Sequence, residues 1–179
     1  MWLTVSLVDN PSRRVGFLGS GFRRKGLEVC IRAIARVPDL QLEVVGRDRK
    51  QARYQRLAER LGVADRVHFM GTLERPEEWL PTLGAMVLPT RYDPCANACM
   101  EAMACGVPVL STHRNGASEL LPEPWMVLDE LDDDEALSGM MVRALLDRGL
   151  GARCRDAIEP WSSHRASKEI LQVVQELAR

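Results

Sequence analysis

Beyond residue 14 the chain alternates short apolar runs with longer stretches whose apolar residues recur at helical spacing, the pattern of β-α units laid into a parallel sheet. The runs at 15–18, 42–45, 67–70, 85–88, 107–110 and 125–128 predict six strands. Between the first two, Leu27, Cys30, Ile31, Ile34 and Val37 repeat with helical period and turn one face to the sheet, and Pro38 ends the helix because its ring cannot continue one. Further helices are predicted at 50–61, closed by Gly62, at 77–83, at 97–105, closed by Gly106, at 133–147 and at 165–177. The helix at 97–105 carries Ala98, Cys99, Met100, Ala102, Met103 and Ala104 and is apolar nearly all round, which predicts a central, buried element. The acidic run that opens 133–147 suits the positive end of a helix dipole. The expected fold class is therefore α/β, a Rossmann-like parallel sheet flanked by helices. Residues 15–179 would form one domain, and residues 1–14 an edge strand, a linker or a tail.

Composition narrows the class. A chain of 179 residues can bury one substantial core. With 46% hydrophobic and 27% charged residues it reads as an ordinary globular domain, not a disordered, collagenous or disulfide-stapled one. The five cysteines lack C-x-x-C spacing and lie mostly in apolar stretches, which favours packing over metal or redox use. His68, His113 and His164 stand apart from one another, so no metal site is expected. The opening MWLTVSLVDN has no basic leader and carries Asp9, unlike a secretory signal or a membrane span, so the expected location is cytoplasmic.

Charge is unevenly spread. Residues 1–75 hold 15 Lys/Arg against 8 Asp/Glu, a balance of +7, and residues 76–179 hold 9 against 17, a balance of −8. The basic half suits a phosphate-bearing ligand or an anionic membrane surface, although solvated helix faces account for much of it. The stripe Arg49, Arg53, Arg56 and Arg60 has helical spacing and offers a peripheral contact with anionic lipid, the solvated face again being the blander reading. Nucleic acid is not an expected partner.

In open parallel sheets ligands bind beyond the carboxyl ends of the strands, so the loops leaving those strands are the places to search. The loop after the first strand reads Gly19-Ser20-Gly21-Phe22-Arg23-Arg24-Lys25-Gly26. Its glycines and serine let an anion approach backbone amides, and three successive cations can neutralise a diphosphate; a solvated basic turn is the alternative. Gly16, Gly19 and Gly21 also bear on a dinucleotide-binding turn, but their order is G-x-x-G-x-G and no clear ribose-binding acid follows the second strand. The loop after the fourth strand runs from Asp93 through Pro94, Cys95, Ala96, Asn97 and Ala98 to Glu101. Two carboxylates bracket the start of a helix and suit sugar hydroxyls, while Asn97 and the free amides beside it suit a phosphate. Glu101, set among apolar neighbours, is expected to be buried with a partner, because an unpaired buried charge is costly.

These motifs carry a resemblance. The stretch 93–109, the GSGFRRKG loop and Asn115-Gly116-Ala117-Ser118-Glu119-Leu120 match, in order and spacing, the C-terminal domain of the retaining glycosyltransferases with the E-x7-E motif and GT-B architecture. The likeness is nearest to lipopolysaccharide core glucosyltransferases and spans residues 15–177. It implies that Arg24 and Lys25 bind the donor diphosphate, with Gly19 and Ser20 lining the same cradle. It further implies that Leu73 presents backbone to the base, that Glu101 holds the ribose, and that Asp93 contacts the hexose while Ala96, Asn97 and Ala98 supply amides. Asp93 is one methylene shorter than the usual glutamate. The implied protein is a hexosyltransferase that needs no metal or other cofactor and uses a nucleotide-sugar, UDP-hexose first, to modify a glycan or lipid-linked acceptor, at the inner membrane surface if it meets a membrane. A two-domain enzyme of this kind needs about 350 residues, so an N-terminal acceptor domain is missing and the chain is expected to be inactive alone. A non-catalytic nucleotide-sugar module and a nucleotide-sugar epimerase of the same architecture remain open, since fold alone does not set function.

Overall fold

The computed structural model describes residues 12–161, 171–172 and 175–176. Its strands are β1 (Arg14–Leu18), β2 (Gln41–Val45), β3 (Val67–Gly71), β4 (Ala85–Leu88), β5 (Val109–Thr112) and β6 (Val127–Leu128). They form one parallel sheet in the order β3-β2-β1-β4-β5-β6. β4 and β5 are buried along their whole length, as strands covered on both faces must be; β4 accordingly reads as an unbroken apolar run, while β5 ends in Ser111 and Thr112, whose hydroxyls donate to Leu88 O and Thr90 O at 2.9 and 2.6 Å. The helices are α1 (Phe22–Lys25), α2 (Leu27–Arg36), α3 (Gln51–Arg60), α4 (Pro76–Trp79), α5 (Asn97–Ala104), α6 (Asp134–Leu146) and α7 (Leu150–Ile158). α2 packs on α3 and α6, and α5 packs on α7. The order places the function-bearing end of the sheet. From β1 the chain adds β2 and β3 on one side, then returns to lay β4, β5 and β6 on the other. The loops leaving β1 and β4 therefore diverge and open a crevice between adjacent strands.

One side-chain assembly braces this centre. At Gly16 in β1 an added Cβ would lie 2.3 Å from Leu83 Cδ1 and 2.9 Å from Trp79 Cη2, so only glycine lets the Trp79 indole lie across the strand. The indole N–H donates to Oε2 of the buried Glu43 at 2.5 Å, and Arg14 approaches Oε1 at 3.4 Å. A carboxylate inside the domain is thus both hydrogen-bonded and paired, as burial requires.

Several expected boundaries move. The helix predicted at 77–83 is α4 followed by a 3-10 turn at Leu80–Thr82, because Pro81 has no N–H to continue an α-helical ladder. The strand predicted at 107–110 starts at Val109: the Val107 N–H still bonds back to Ala102 O at 2.9 Å, so residue 107 finishes the helix. Trp125 belongs to a 3-10 turn at Pro124–Met126, which leaves β6 two residues long. α7 lies where no element was expected. Of the segment expected to be an edge strand, linker or tail, residues 1–11 lie outside the described residues, and Arg14 opens β1. The helix expected at 165–177 also falls largely outside the described residues, which there are Leu171, Gln172, Gln175 and Glu176, all helical.

Candidate functional site

The loop after β1 is shaped by close approaches that its glycines allow. The Gly19 N–H bonds to Val45 O at 2.9 Å, and a Cβ on Gly46, at φ +133°, would lie 2.2 Å from Gly19 O. Gly21 and Gly26 flank α1 in left-handed conformation. Between them, Phe22 drives its ring into the core, edge-on to Phe17 and Tyr54, while its N–H is capped by Asp48 Oδ2 at 2.8 Å. Fixing Phe22 inward brings Lys25 inward one turn later, and Gly26 packs directly on the Pro89 carbonyl that begins the loop after β4.

The cations of this loop converge on the other one. Lys25 Nζ lies 2.6 Å from Asp93 Oδ2, and Arg24 Nη1 lies 2.8 Å from the same oxygen and 2.9 Å from Tyr92 O. Lys25 and Asp93 are buried, and the Arg24 side chain is half exposed. Burial pushes the Asp93 carboxyl up, but the hydrogen bonds from Lys25 and Arg24, and their charges, outweigh it and hold Asp93 below the ordinary carboxylate range. The backbone between the loops is tied as well: Arg91 N–H and Thr90 Oγ1 both donate to Arg24 O, at 2.7 and 3.0 Å.

On the far side, Asp93 joins the loop after β5. Its N–H bonds to Arg114 O and its carbonyl accepts from Gly116 N–H, both at 3.0 Å, and the fully buried Asn115 accepts from the Ala96 N–H through Oδ1 at 3.1 Å. Asn97 and Ala98 head α5, and among the described residues neither amide finds an acceptor, the usual condition of a helix start without a capping side chain.

The structure thus brings Arg24, Lys25 and Asp93 together where the loops after β1 and β4 meet, with Gly19 against the Lys25 stem and Ser20 exposed; Asn97 and Ala98 follow Asp93 by four and five residues at the head of α5, and Ser20 Oγ accepts from the Arg47 N–H at 3.2 Å. Leu73 sits half-buried in the loop after β3, two strands away from β1. Three expectations change. Arg23 turns away from the other two cations and lines a separate small cavity with Arg53 and Arg91. The Ala96 amide is not available to a ligand, because Asn115 holds it. Glu101 is exposed and unpaired among the described residues, not buried with a partner: α5 buries only Cys99, Ala102 and Met103, while Asn97, Glu101 and Ala104, at helical spacing, form an open face. That face lines a cavity of about 950 Å³ with Arg155, Ile158 and Trp161, which extends along α5 and which Arg24 and Lys25 do not line. No role was expected of Thr90 or Asp48, and Asn115 counted only as the first residue of one resembling motif; the buried Thr90 and Asn115 and the half-buried Asp48 fasten the loops from behind. Cys99 is structural: burial pushes its thiol up to about 12.

A parallel sheet with this strand order, flanked by helices and with its switch point between β1 and β4, defines a Rossmann-like domain. Residues 12–147 match the family described as Glycosyl transferases group 1, and the chain belongs to that family. The lipopolysaccharide core biosynthesis glycosyltransferase LpsE of Rhizobium meliloti (strain 1021) is 28% identical over 138 residues, covering 76% of this chain and 40% of LpsE. Among solved structures, sucrose-phosphate synthase from Thermosynechococcus elongatus superposes with a TM-score of 0.83 at 28% identity, over 94% of this chain and 46% of that one. Anabaena Alr3699/HepE in complex with UDP-glucose superposes with a TM-score of 0.79 at 21% identity, over 94% and 49%, and so shares the fold, which is that of the GT-B glycosyltransferases. The chain spans less than half the length of each of these proteins. Among the described residues, no helix is long and apolar enough to cross a membrane.

Proposed function

We propose that this chain is the donor-binding part of a retaining, metal-independent glycosyltransferase that moves a hexose from a nucleotide-diphosphate sugar, UDP-hexose first, to a glycan or lipid-linked acceptor. The observation that carries this reading is the convergence of Arg24 and Lys25 on Asp93, four residues before a helix start whose Asn97 and Ala98 amides find no acceptor among the described residues. Arg24 and Lys25 take the diphosphate and, with the two amides, stabilise the negative charge that grows on it as the bond to the anomeric carbon breaks. In this reading Arg24, Lys25 and the helix start, not a metal, meet that charge. Asp93 Oδ2 is committed to the cations, which leaves Oδ1 for a hexose hydroxyl. Gly19 and Ser20 border the phosphates, Leu73 lies toward the base, and Glu101, free on the open face of α5, accepts from the ribose hydroxyls. The UDP-glucose bound by Anabaena HepE supports uridine as the base. The coverage of LpsE, 40% of its length, supports an acceptor held by a second domain and a chain inactive alone. With a lipid-linked acceptor the enzyme works at the cytoplasmic face of a membrane.

The test is calorimetry of the chain against UDP-, GDP- and ADP-sugars, with Lys25→Ala and Glu101→Ala alongside, and a transfer assay on the same preparation. Binding of one nucleotide class that falls at least tenfold in each variant, without turnover, is the expected result. Undiminished binding in both variants removes the site assignment, and turnover by the chain alone removes the claim that a second domain is required.

A further inference from the structure

We infer that Asn115 is a positioning residue of the donor site, holding the start of α5 so that the Asn97 and Ala98 amides stay open to an anion; this rests on the donor-binding reading above. The Asn115 carboxamide uses all four of its hydrogen-bonding positions. Oδ1 accepts from Ala96 N–H at 3.1 Å and Ala117 N–H at 3.2 Å, and Nδ2 donates to Ser111 Oγ at 2.9 Å and Cys99 Sγ at 3.3 Å. Two backbone N–H groups on one side establish which atom is the oxygen. Ser111 in turn donates from Oγ to Leu88 O at 2.9 Å. One chain of contacts therefore runs from β4 through Ser111 and Asn115 to the residue that precedes α5. The main chain adds a second fastening, since a Cβ on Gly116 would lie 1.8 Å from Pro94 O.

What this arrangement does for a ligand follows from which amides it consumes. α6 is capped by its own side chain, Asp133, whose Oδ1 accepts from Ala136 N–H at 2.8 Å. α5 instead has Ala96 at its N-cap, with no side-chain oxygen to give. The Ala96 amide is taken from behind by Asn115, and the Cys99 amide bonds to Ala96 O at 2.9 Å. Among the described residues the two amides between them remain without an acceptor, four and five residues after the carboxylate that holds Lys25 and Arg24. A bare helix start is ordinarily unstable and frays; here an internal side chain anchors it without covering the donors that face the crevice. Asn115 is fully buried, so it acts on a ligand only through Ala96 and the turn that Ala96 begins.

The test compares Asn115→Ala and the milder Asn115→Ser with Met141→Ala, which opens a cavity under α6 away from the crevice and serves as a control for lost stability. UDP is titrated by calorimetry at 10 °C on samples shown to be folded. Both Asn115 variants are expected to lose at least tenfold in UDP affinity, with Met141→Ala within twofold of wild type. UDP affinity within twofold in whichever Asn115 variant folds overturns the inference, as does an equal loss in Met141→Ala. In the wild-type chain UDP is expected to shift the Asn97 and Ala98 amide resonances, while the Ala96 amide stays slow to exchange; a fast Ala96 amide overturns the inference whatever the variants do. A wild-type chain that binds none of UDP, GDP and ADP overturns the donor reading and this inference with it. Wild-type binding with unaffected Asn115 variants overturns the inference alone.

Discussion

Replacing Gly26 by alanine adds a methyl group 2.1 Å from the Pro89 carbonyl oxygen at a residue with φ +82°, whereas the same change at Gly21, φ +76°, meets nothing within 4 Å. The left-handed backbone penalises both by about 1–2 kcal/mol, and the clash adds to Gly26 alone. Urea unfolding is therefore expected to show Gly21→Ala down by about 1 kcal/mol and Gly26→Ala by roughly 3 kcal/mol or more. Equal losses would mean that the β1 and β4 loops do not interlock at this point. Asp93 gives a second test, through pH. Its carboxyl titrates lower in the folded chain than its ordinary value of 3.8, so folding favours the charged form. The stability this supplies is complete above that ordinary value and disappears as pH falls through the lowered one. Thermal melts are thus expected to separate wild type from Asp93→Asn at pH 6, with the gap narrowing as the pH is taken from about 5 to 3. A gap that widens on acidification would reverse the assigned sign.

At the level of elements, the sequence was legible wherever local chemistry and tertiary packing agreed. α2 announced itself through Leu27, Cys30, Ile31 and Ile34, all fully buried, and β4 through an unbroken apolar run. α5 misled because composition and exposure diverge: Ala104 and the half-buried Ala98 and Met100 are apolar residues on or beside the open face, so the helix read as buried all round and Glu101 as enclosed. α7 was missed because Gly149 and Gly151 mark a turn, while the helix depends on burying Leu150, Cys154 and Ile158 as it packs on α5, which no short window reveals. In the site, the cations and carboxylate stood out as a motif, but Asn115 and Thr90 act through contacts set by the meeting of three loops. The cap of α6 was legible in kind, from acids at the helix start, and is open to measurement. Asp133→Ala is expected to lower stability by about 1 kcal/mol through loss of the bond from Ala136 N–H, without altering UDP affinity. A changed affinity would show that α6 and the crevice are coupled.

For the whole molecule, the strand order converts these local features into one site. Only because β4 returns beside β1 do Lys25 and Asp93, 68 residues apart, meet in a buried pair. That pair is neutral by itself, and the net positive charge of the cluster is that of Arg24, the second cation on Asp93, brought from the basic half of the chain to the head of α5 in the acidic half. A ligand that bridges the two halves must stabilise the fold as a unit, since it binds the folded arrangement and has no counterpart in the unfolded chain. Linkage sets the size: at a UDP concentration of about one hundred times Kd the gain is about 2.7 kcal/mol, which for a domain of this length raises the melting temperature by roughly 5–10 °C. Uridine lacks the diphosphate and is expected to give little shift. The UDP shift is expected to shrink in Lys25→Ala and to weaken as salt screens the half-exposed Arg24. Uridine raising the melting temperature as much as UDP would place the binding energy in the base and not in the β1–β4 crevice, and the diphosphate reading of that crevice would fail.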